Sequence, residues 1–236
     1  MERIYGSNRD FDHQSIGSAV PEILGPHRFR IGQTEILLYY GEPSPYSISQ
    51  EIYIDLLPVE SYLTEGIWRI VLSAGKIVTG QYEMWLPSDN VLNRGTGFLF
   101  PTDATTLTIP SSASRAISVG AYDARTFAYA DFSGRGFTRL TNMVKPDLVA
   151  PGVEVMTTTV GGGYAAFTGT SFATPFVTGS AALLMEWGIV KGNDQYMYGE
   201  KLKAYLINGA TRVGNVWPDS ARGWGELCVA ASIPVK

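Results

Sequence analysis

The sequence predicts an α/β domain preceded by an all-β segment, and three observations lead to this prediction. Short runs of alternating apolar and polar residues fill residues 28–110, strand-like and helical runs are mixed after residue 113, and a charge-free helical stretch begins at Ser171. Period-two alternation in short runs is typical of an antiparallel sandwich. Mixed strand and helix patterns are typical of an α/β fold. We therefore expect an irregular lead-in over residues 1–27, a β-sandwich over 28–112 and an α/β portion over 113–236.

The β-rich segment contains four candidate strands separated by Gly, Pro, Ser and Asp. An apolar run covers residues 36–40, and apolar and polar residues alternate over 52–56, 68–72 and 82–86. Strands with one buried and one solvated face show this alternation. The pattern predicts strands at all four places.

The α/β portion begins with a buried strand at 116–121. A glycine-rich loop at 132–136, a proline-rich connection at 145–152 and a strand-like run at 153–158 follow. Three glycines at 161–163 then precede the helix that starts near Ser171, and a second helix is predicted over 199–209 with Leu202, Tyr205 and Leu206 on one face.

Composition excludes several classes of function. The 236 residues carry a net charge of −4 without a basic run, so nucleic acid is not expected as a partner. One cysteine, Cys228, excludes an internal disulfide and a cysteine metal cluster. No continuous apolar stretch of about 18 residues occurs, which argues against a membrane span. We predict no cofactor and no metal. The first ten residues lack the apolar core of a signal peptide, and the compartment stays open.

The chemistry is expected where a serine opens a helix. Gly169 and Thr170 lead into Ser171, and apolar or small residues follow as far as Met185. Unpaired backbone N–H groups and the helix dipole favour negative charge there, as the oxyanion of an acyl-transfer intermediate requires. We expect Pro175 in the first turn and a helix buried on every face. The same residues are also typical of an ordinary helix N-cap.

A family resemblance favours the catalytic interpretation. The stretch Gly169-Thr-Ser-Phe-Ala-Thr-Pro175 resembles the nucleophile motif of the subtilisin-like serine proteases, the subtilases, with Ser171 at the nucleophile position. The segments 117–121, 132–136, 145–152 and 223–225 resemble further subtilase motifs and occur in family order. Together they cover residues 113–228. The resemblance implies the C-terminal part of a parallel-sheet subtilisin-like fold and a serine endopeptidase acting on peptide or protein substrates.

The β-rich segment is similar to the jelly-roll insertion of clostridial germination-type proteases. Trp85-Leu-Pro87, Thr106-Leu-Thr-Ile-Pro110 and Leu183-Leu-Met-Glu-Trp-Gly188 support this narrower resemblance. It implies that an all-β jelly roll interrupts the protease fold over residues 28–112.

The resemblance leaves the catalytic triad incomplete. A serine hydroxyl needs a base and an orienting carboxylate, but the family motifs for Asp and His do not occur here. His13 and His27 are the only histidines, and both are expected to be ordinary loop or surface residues. Asp147 belongs to a motif that the family uses structurally. Asn8 is a candidate for the oxyanion-hole asparagine, although a turn asparagine is an alternative.

Three functions remain open on the sequence. The chain is a fragment of a serine endopeptidase completed by a missing N-terminal half, or a pseudoprotease that serves as a binding or regulatory scaffold, or a binding module centred on the jelly roll. Tyr39, Tyr40, Trp68 and Trp85 could form a sugar platform in the third case, but sandwich core is the more typical role of such residues. Half of a parallel sheet exposes an edge and an apolar face, so we also expect the chain to bind its missing half or a second copy.

Overall fold

A computed structural model describes residues 3–7, 13–15, 25–41, 45, 49–72, 80–87 and 91–234. The chain forms two compact units, Met1–Ser88 and Asp89–Lys236.

The first unit consists of antiparallel strands. They are β1 Arg3–Ser7, β2 His13–Ser15, β3 Gly25–Ile31, β4 Thr34–Gly41, β5 Glu51–Pro58 and β6 Ile67–Val71. One three-stranded sheet has the order β2-β1-β6 and a second has the order β3-β4-β5. Every pairing within them is antiparallel.

Alternation along β4 explains how this unit buries a core. Ile36, Leu38 and Tyr40 are buried and point to one face, whereas Tyr39 between them is exposed. Trp68 of β6 packs against the cluster that these side chains form. Of the four aromatic residues considered for a sugar platform, Tyr40 and Trp68 contribute to the core, whereas Tyr39 and Trp85 are exposed.

Two sequence predictions for this unit were wrong. The lead-in over residues 1–27 is not irregular, because it contains β1, β2 and the start of β3. Residues 82–86 form no strand, and Tyr82 and Trp85 are largely exposed. An alternating pattern yields a strand only when a neighbouring strand can pair with it, and no described strand pairs with this stretch. Strands at 36–40, 52–56 and 68–71 are confirmed. The jelly-roll assignment stays a prediction.

The second unit has α/β character. Its strands are β7 Val119–Asp123, β8 Ala128–Tyr129, β9 Leu148–Pro151, β10 Val155–Thr158 and β11 Tyr164–Phe167, and its helices are α1 Thr170–Met185, α2 Gly199–Gly209 and α3 Val229–Ser232, with a π-helical turn at Glu186–Val190 after α1. β7 pairs with β9 in parallel, and β8 pairs with the end of β7 in antiparallel orientation. The predicted helix over 199–209 is confirmed.

Helix α1 lies against β7 and β9 with one stripe of small and apolar side chains. Ala173, Val177, Ser180 and Leu184 are buried there, within a core that also contains Leu148 and Ala150. The prediction of a helix buried on every face was wrong, because Phe176 and Leu183 of α1 are substantially exposed. Only one side of the helix meets the sheet, so the remaining apolar residues contact solvent.

The stretch Thr170–Val190 is also long and apolar enough to cross a membrane, with a mean hydropathy of 1.2. Core helices of soluble proteins pass the same test of length and composition, so this is weak evidence for a span. Packing of its buried stripe on the parallel strands favours a core helix. The expectation of no membrane partner stays a prediction.

A buried ionic cluster joins α2 to the sheet. Asp147 accepts hydrogen bonds from Lys145 Nζ at 2.7 Å and from the backbone N–H of Ser118 at 2.7 Å. Lys203 of α2 reaches the second carboxylate oxygen at 2.7 Å. The Lys145 ammonium also donates to the carbonyl of Ala116 at 2.6 Å. Burial lowers the pKa of Lys145, and the neighbouring Asp147 carboxylate opposes this effect.

Candidate active site

Ser171 lies in the first turn of α1, and close backbone packing fixes the position of that turn. Gly152 follows β9 and donates a hydrogen bond to the carbonyl of Tyr122 at 3.0 Å, while its own carbonyl accepts one from Gly169 at 2.8 Å. A Cβ atom at Gly152 would lie 2.6 Å from Ala121 Cβ and 3.0 Å from the carbonyl oxygen of Gly169. Glycine is therefore needed to bring the entry of α1 up to the strand ends.

The helix entry places Ser171 at the carboxyl ends of parallel strands. β7 and β9 end at Asp123 and Pro151, next to the connection that Gly152 makes. Ligand sites of α/β sheets occur on this side of the strands. Ser171 is exposed, and its side chain has no hydrogen bond to another residue of the described segments. The hydroxyl is accessible to an incoming molecule.

The first turn of α1 favours an anion. It contains no acidic residue, and no side chain caps it. The first amides of a helix have no intrahelical acceptor, and they form the positive end of the helix dipole. Such amides suit the stabilisation of a developing oxyanion.

Pro175 lies in the second turn of α1 and not in the first, because the helix already begins at Thr170. A proline at this place removes the N–H that would bond to the carbonyl of Ser171 four residues earlier. The Thr174 hydroxyl donates to the carbonyl of Thr170 at 3.0 Å and occupies the neighbouring acceptor.

The unit that carries Ser171 contains no candidate base of the usual kind. Residues 89–236 include no histidine. His27 lies in β3 of the other unit, opposite Leu38, with its ring stacked on Phe29 at 6.3 Å between centroids. His13 belongs to β2 and lies opposite Ser7. Asn8 lies outside the described residues, so its predicted contribution to the oxyanion hole is not tested.

Asp147 is occupied by its buried ion pairs with Lys145 and Lys203. A carboxylate held in this way cannot orient a catalytic histidine, which agrees with the structural role expected from the sequence. No group of three or more His, Cys, Asp and Glu side chains within the described residues could hold a metal ion.

A hairpin leads directly into the site, and the sequence analysis found only its first strand. β10 pairs antiparallel with β11, and the three glycines at 161–163 form its tip. Phe167 at the end of β11 stacks on Phe172 of α1 with 5.2 Å between ring centroids. Two apolar runs separated by a glycine-rich loop are a hairpin signal. The run Tyr164-Ala-Ala-Phe167 after the three glycines supplies the second half of this signal.

A buried carboxyl group lies beside β9. Glu226 forms a backbone bridge with Val149 of this strand, and its Oε1 lies 3.7 Å from the Arg222 guanidinium. Burial raises the pKa of Glu226, and the positive charge of Arg222 only partly offsets this. Burial together with the Glu226 charge also raises the pKa of Tyr122.

The chain matches the model of a known protein family over most of its length. The model of the subtilase family, peptidase family S8, matches residues 66–225, which is more than half of the chain. The chain belongs to the subtilase family. Its matched region includes Ser171 and the whole of β7, β9 and α1.

Subtilases of several bacteria are similar to parts of the chain. Alkaline elastase YaB of Bacillus sp. (strain YaB) is 46% identical over 69 residues, which make up 29% of this chain and 17% of that enzyme. Subtilisin BL of Lederbergia lenta is 36% identical over 112 residues, which make up 48% of this chain and 36% of that enzyme. The chain thus spans about a third or less of these curated relatives.

The structure of the CspB protease of Clostridium perfringens is similar over nearly the whole chain. The TM-score is 0.78 at 34% sequence identity, and the match covers 98% of this chain but 48% of CspB. This likeness supports the α/β subtilisin-like fold and the resemblance to clostridial proteases. The chain spans about half of that solved structure.

Proposed function

We propose that this chain carries the nucleophile of a serine endopeptidase of the subtilisin type. The observation that carries the proposal is the exposed side chain of Ser171 in the first turn of α1, at the carboxyl ends of β7 and β9. Membership of the subtilase family supports peptide-bond hydrolysis as the reaction.

In this proposal Ser171 Oγ attacks the carbonyl carbon of a peptide bond while a base removes the hydroxyl proton. The carbonyl oxygen becomes an oxyanion that accepts hydrogen bonds from first-turn amides of α1. Collapse of the intermediate expels the amine, which takes up the proton, and leaves an acyl ester on Ser171. Water then hydrolyses the ester. This step releases the carboxyl product and restores the free hydroxyl of Ser171.

The base and its orienting carboxylate come from a second polypeptide segment. Residues 89–236 contain no histidine, and Asp147 is committed to two lysines. We infer that the segment is the remaining half of a subtilase domain, since CspB is about twice as long as the region that this chain matches. Its docking surface consists of Phe176 and Leu183 of α1 and Val190 of the π-helical turn that follows, which are exposed and are here called the α1 apolar face. Asn8 stays the candidate for a side-chain donor to the oxyanion.

The test is intact-mass measurement after treatment with a fluorophosphonate, which phosphonylates only an activated serine. We expect one adduct on the chain when its complementary half is present, and none on Ser171→Ala. Ser180→Ala is the matched control in the same helix, because the Ser180 hydroxyl is buried and donates to the carbonyl of Phe176 at 2.7 Å. That variant should label like the parent chain.

A pseudoprotease is the second candidate, and the lack of any histidine in residues 89–236 favours it. In that case the fold persists as a binding or regulatory scaffold without turnover. Failure to label with and without the complementary half would exclude the endopeptidase proposal and support this one.

A further inference from the structure

A cleft of about 410 Å³ opens between the end of α2 and the loop that follows it. Its lining residues are Ala204, Ile207, Asn208, Arg212, Trp217 and Trp224. Ser171 does not belong to this lining. The volume lies within the range of about 300–1,000 Å³ that is typical of small-ligand sites.

The cleft contains one cation, the guanidinium of Arg212. The Arg212 guanidinium carbon is 3.7 Å from the centroid of the Trp217 ring, so the charge stacks on the indole. Among the described residues, no Asp or Glu forms an ion pair with Arg212, and no acidic residue lines the cleft. A guanidinium presents a planar fork of donors that matches a carboxylate.

The walls around this cation are mainly apolar. The Trp217 and Trp224 rings lie 6.1 Å apart between centroids at an angle of 58°. Ala204 and Ile207 add aliphatic surface from the last turns of α2, and Asn208 adds an amide that can both donate and accept. Trp217 is 40% exposed, so part of this aromatic surface is open to solvent.

Backbone hydrogen bonds hold the cleft walls to the buried sheet. Thr211 and Glu226 exchange two hydrogen bonds, of 2.8 and 2.9 Å, beside Arg212 and close to Trp224. The Trp224 amide donates to the carbonyl of Asp147 at 2.9 Å. The backbone on which Arg212 and Trp224 stand is therefore held in place before a ligand arrives, which lowers the entropic cost of binding.

We propose that this cleft binds a carboxylate joined to an apolar side chain. The carboxylate pairs with Arg212, the side chain packs on the two indoles and Ile207, and Asn208 meets the adjacent amide group. Two kinds of molecule share this chemistry, namely the C-terminus of a peptide that ends in an apolar residue and a small acylated amino acid.

Fluorine NMR of the chain labelled with 5-fluorotryptophan tests the proposal independently of proteolysis. Each of the five tryptophans gives one resonance, assigned by single Trp→Phe substitutions. The probes are N-acetyl-phenylalanine and the tetrapeptide Ala-Ala-Ala-Phe, each as the free acid and as the C-terminal amide. We expect the acids to move the Trp217 and Trp224 resonances and to leave those of Trp68, Trp85 and Trp187 in place.

Substitution of Arg212 separates carboxylate recognition from apolar contact. Arg212→Gln should weaken binding of the acids by about tenfold to a hundredfold, as expected for loss of a charge-assisted pair. Arg212→Lys keeps the charge but loses the fork, so it should bind with intermediate affinity. Arg94→Gln, at an exposed position outside the cleft, is the matched control and should bind like the parent chain.

Each outcome decides the proposal. Stronger binding of the tetrapeptide than of N-acetyl-phenylalanine identifies a peptide C-terminus as the ligand, and equal binding identifies the small acid. No movement of the Trp217 and Trp224 resonances at millimolar probe overturns the proposal. Amides that bind as tightly as the acids, or an unchanged affinity in Arg212→Gln, overturn it as well.

Discussion

Among single residues, Gly152 determines whether Ser171 can lie at the strand ends. A Cβ atom at Gly152 would lie 2.6 Å from Ala121 Cβ, 3.0 Å from the carbonyl oxygen of Gly169 and 3.3 Å from Ala173 Cβ. None of these three atoms is the tip of a flexible side chain, so an added methyl group must displace backbone or a core alanine.

We predict that Gly152→Ala lowers the free energy of unfolding by about 1–3 kcal/mol, as overpacking of a tight core does. The measurement is urea denaturation followed by circular dichroism. Gly179→Ala is the control, because a methyl group there meets no atom within 4 Å and lies inside α1. It should stabilise the chain by up to about 1 kcal/mol through helix propensity. Equal effects of the two substitutions would contradict the packing account.

Glu226 gives a prediction about pH. Burial raises the pKa of its carboxyl group in the folded state above the value in the unfolded state. The folded state then binds the Glu226 proton more tightly than the unfolded state does. This proton binding stabilises the fold fully below the carboxyl pKa of the unfolded state, and the contribution is lost as pH rises through the raised pKa of the folded state. Glu226→Gln should remove this loss and gain stability relative to the parent chain as pH rises toward neutrality. Parallel stability profiles of the two chains from pH 4 to 7 would refute the argument.

At the scale of elements, the buried cluster of Lys145, Asp147 and Lys203 connects α2 to the strands. Its carboxylate serves two lysines and one backbone amide. Removing one member of a buried ion pair leaves uncompensated charge, which costs more than the pair contributes on balance. The central carboxylate is therefore the most sensitive member.

We predict that Asp147→Asn destabilises the chain by about 3–5 kcal/mol, since two buried ammonium groups then lose their counter-charge. Lys203→Met should cost less, about 1–2 kcal/mol, because the pair of Lys145 and Asp147 remains. Lys191→Met removes an exposed pair with Glu186 and should change stability by less than about 1 kcal/mol. The reverse order of Asp147→Asn and Lys203→Met in urea denaturation would show that the carboxylate is not central.

The sequence predicted those elements whose pattern matches their packing. Helix α2 shows a clear apolar face with Leu202 and Leu206 buried, and β4 contains the short apolar run 36–40, so both were found. The stretch 82–86 alternates equally well but has no described partner strand. In contrast, β1 pairs with the distant β6, and β2 pairs with β1, although neither short segment shows a clear strand pattern. Pairing between distant strands is a tertiary property that a local pattern does not contain.

The candidate site was predictable only in part, for the same reason. Ser171 is marked by a local motif, and the structure places it at a helix start. The cleft around Arg212 joins residues 204–208 with residues 212, 217 and 224, and nothing local in the sequence connects them.

At the scale of the whole molecule, the α1 apolar face is the feature that a self-contained fold does not explain. Leu183 is 50% exposed and Val190 is 78% exposed, whereas the adjacent Leu184 is fully buried. Large apolar side chains that are exposed to this extent mark a candidate interaction site. Because CspB is about twice as long as the region matched here, the proposed complementary half accounts for what covers this face.

We predict that the isolated chain self-associates through the α1 apolar face until that half is supplied. Light scattering should show particles larger than the 25.7 kDa monomer, and a dye for exposed apolar surface should bind. Leu183→Gln together with Val190→Gln should reduce both signals while changing the free energy of unfolding by no more than about 0.5 kcal/mol, as expected for exposed positions. Leu184→Gln, one residue along the helix, should instead cost at least about 2 kcal/mol, because it removes a buried core side chain.

A monodisperse monomer that binds no dye would mean that this face is stable in contact with water. The proposal of a docked half would then lose its structural support.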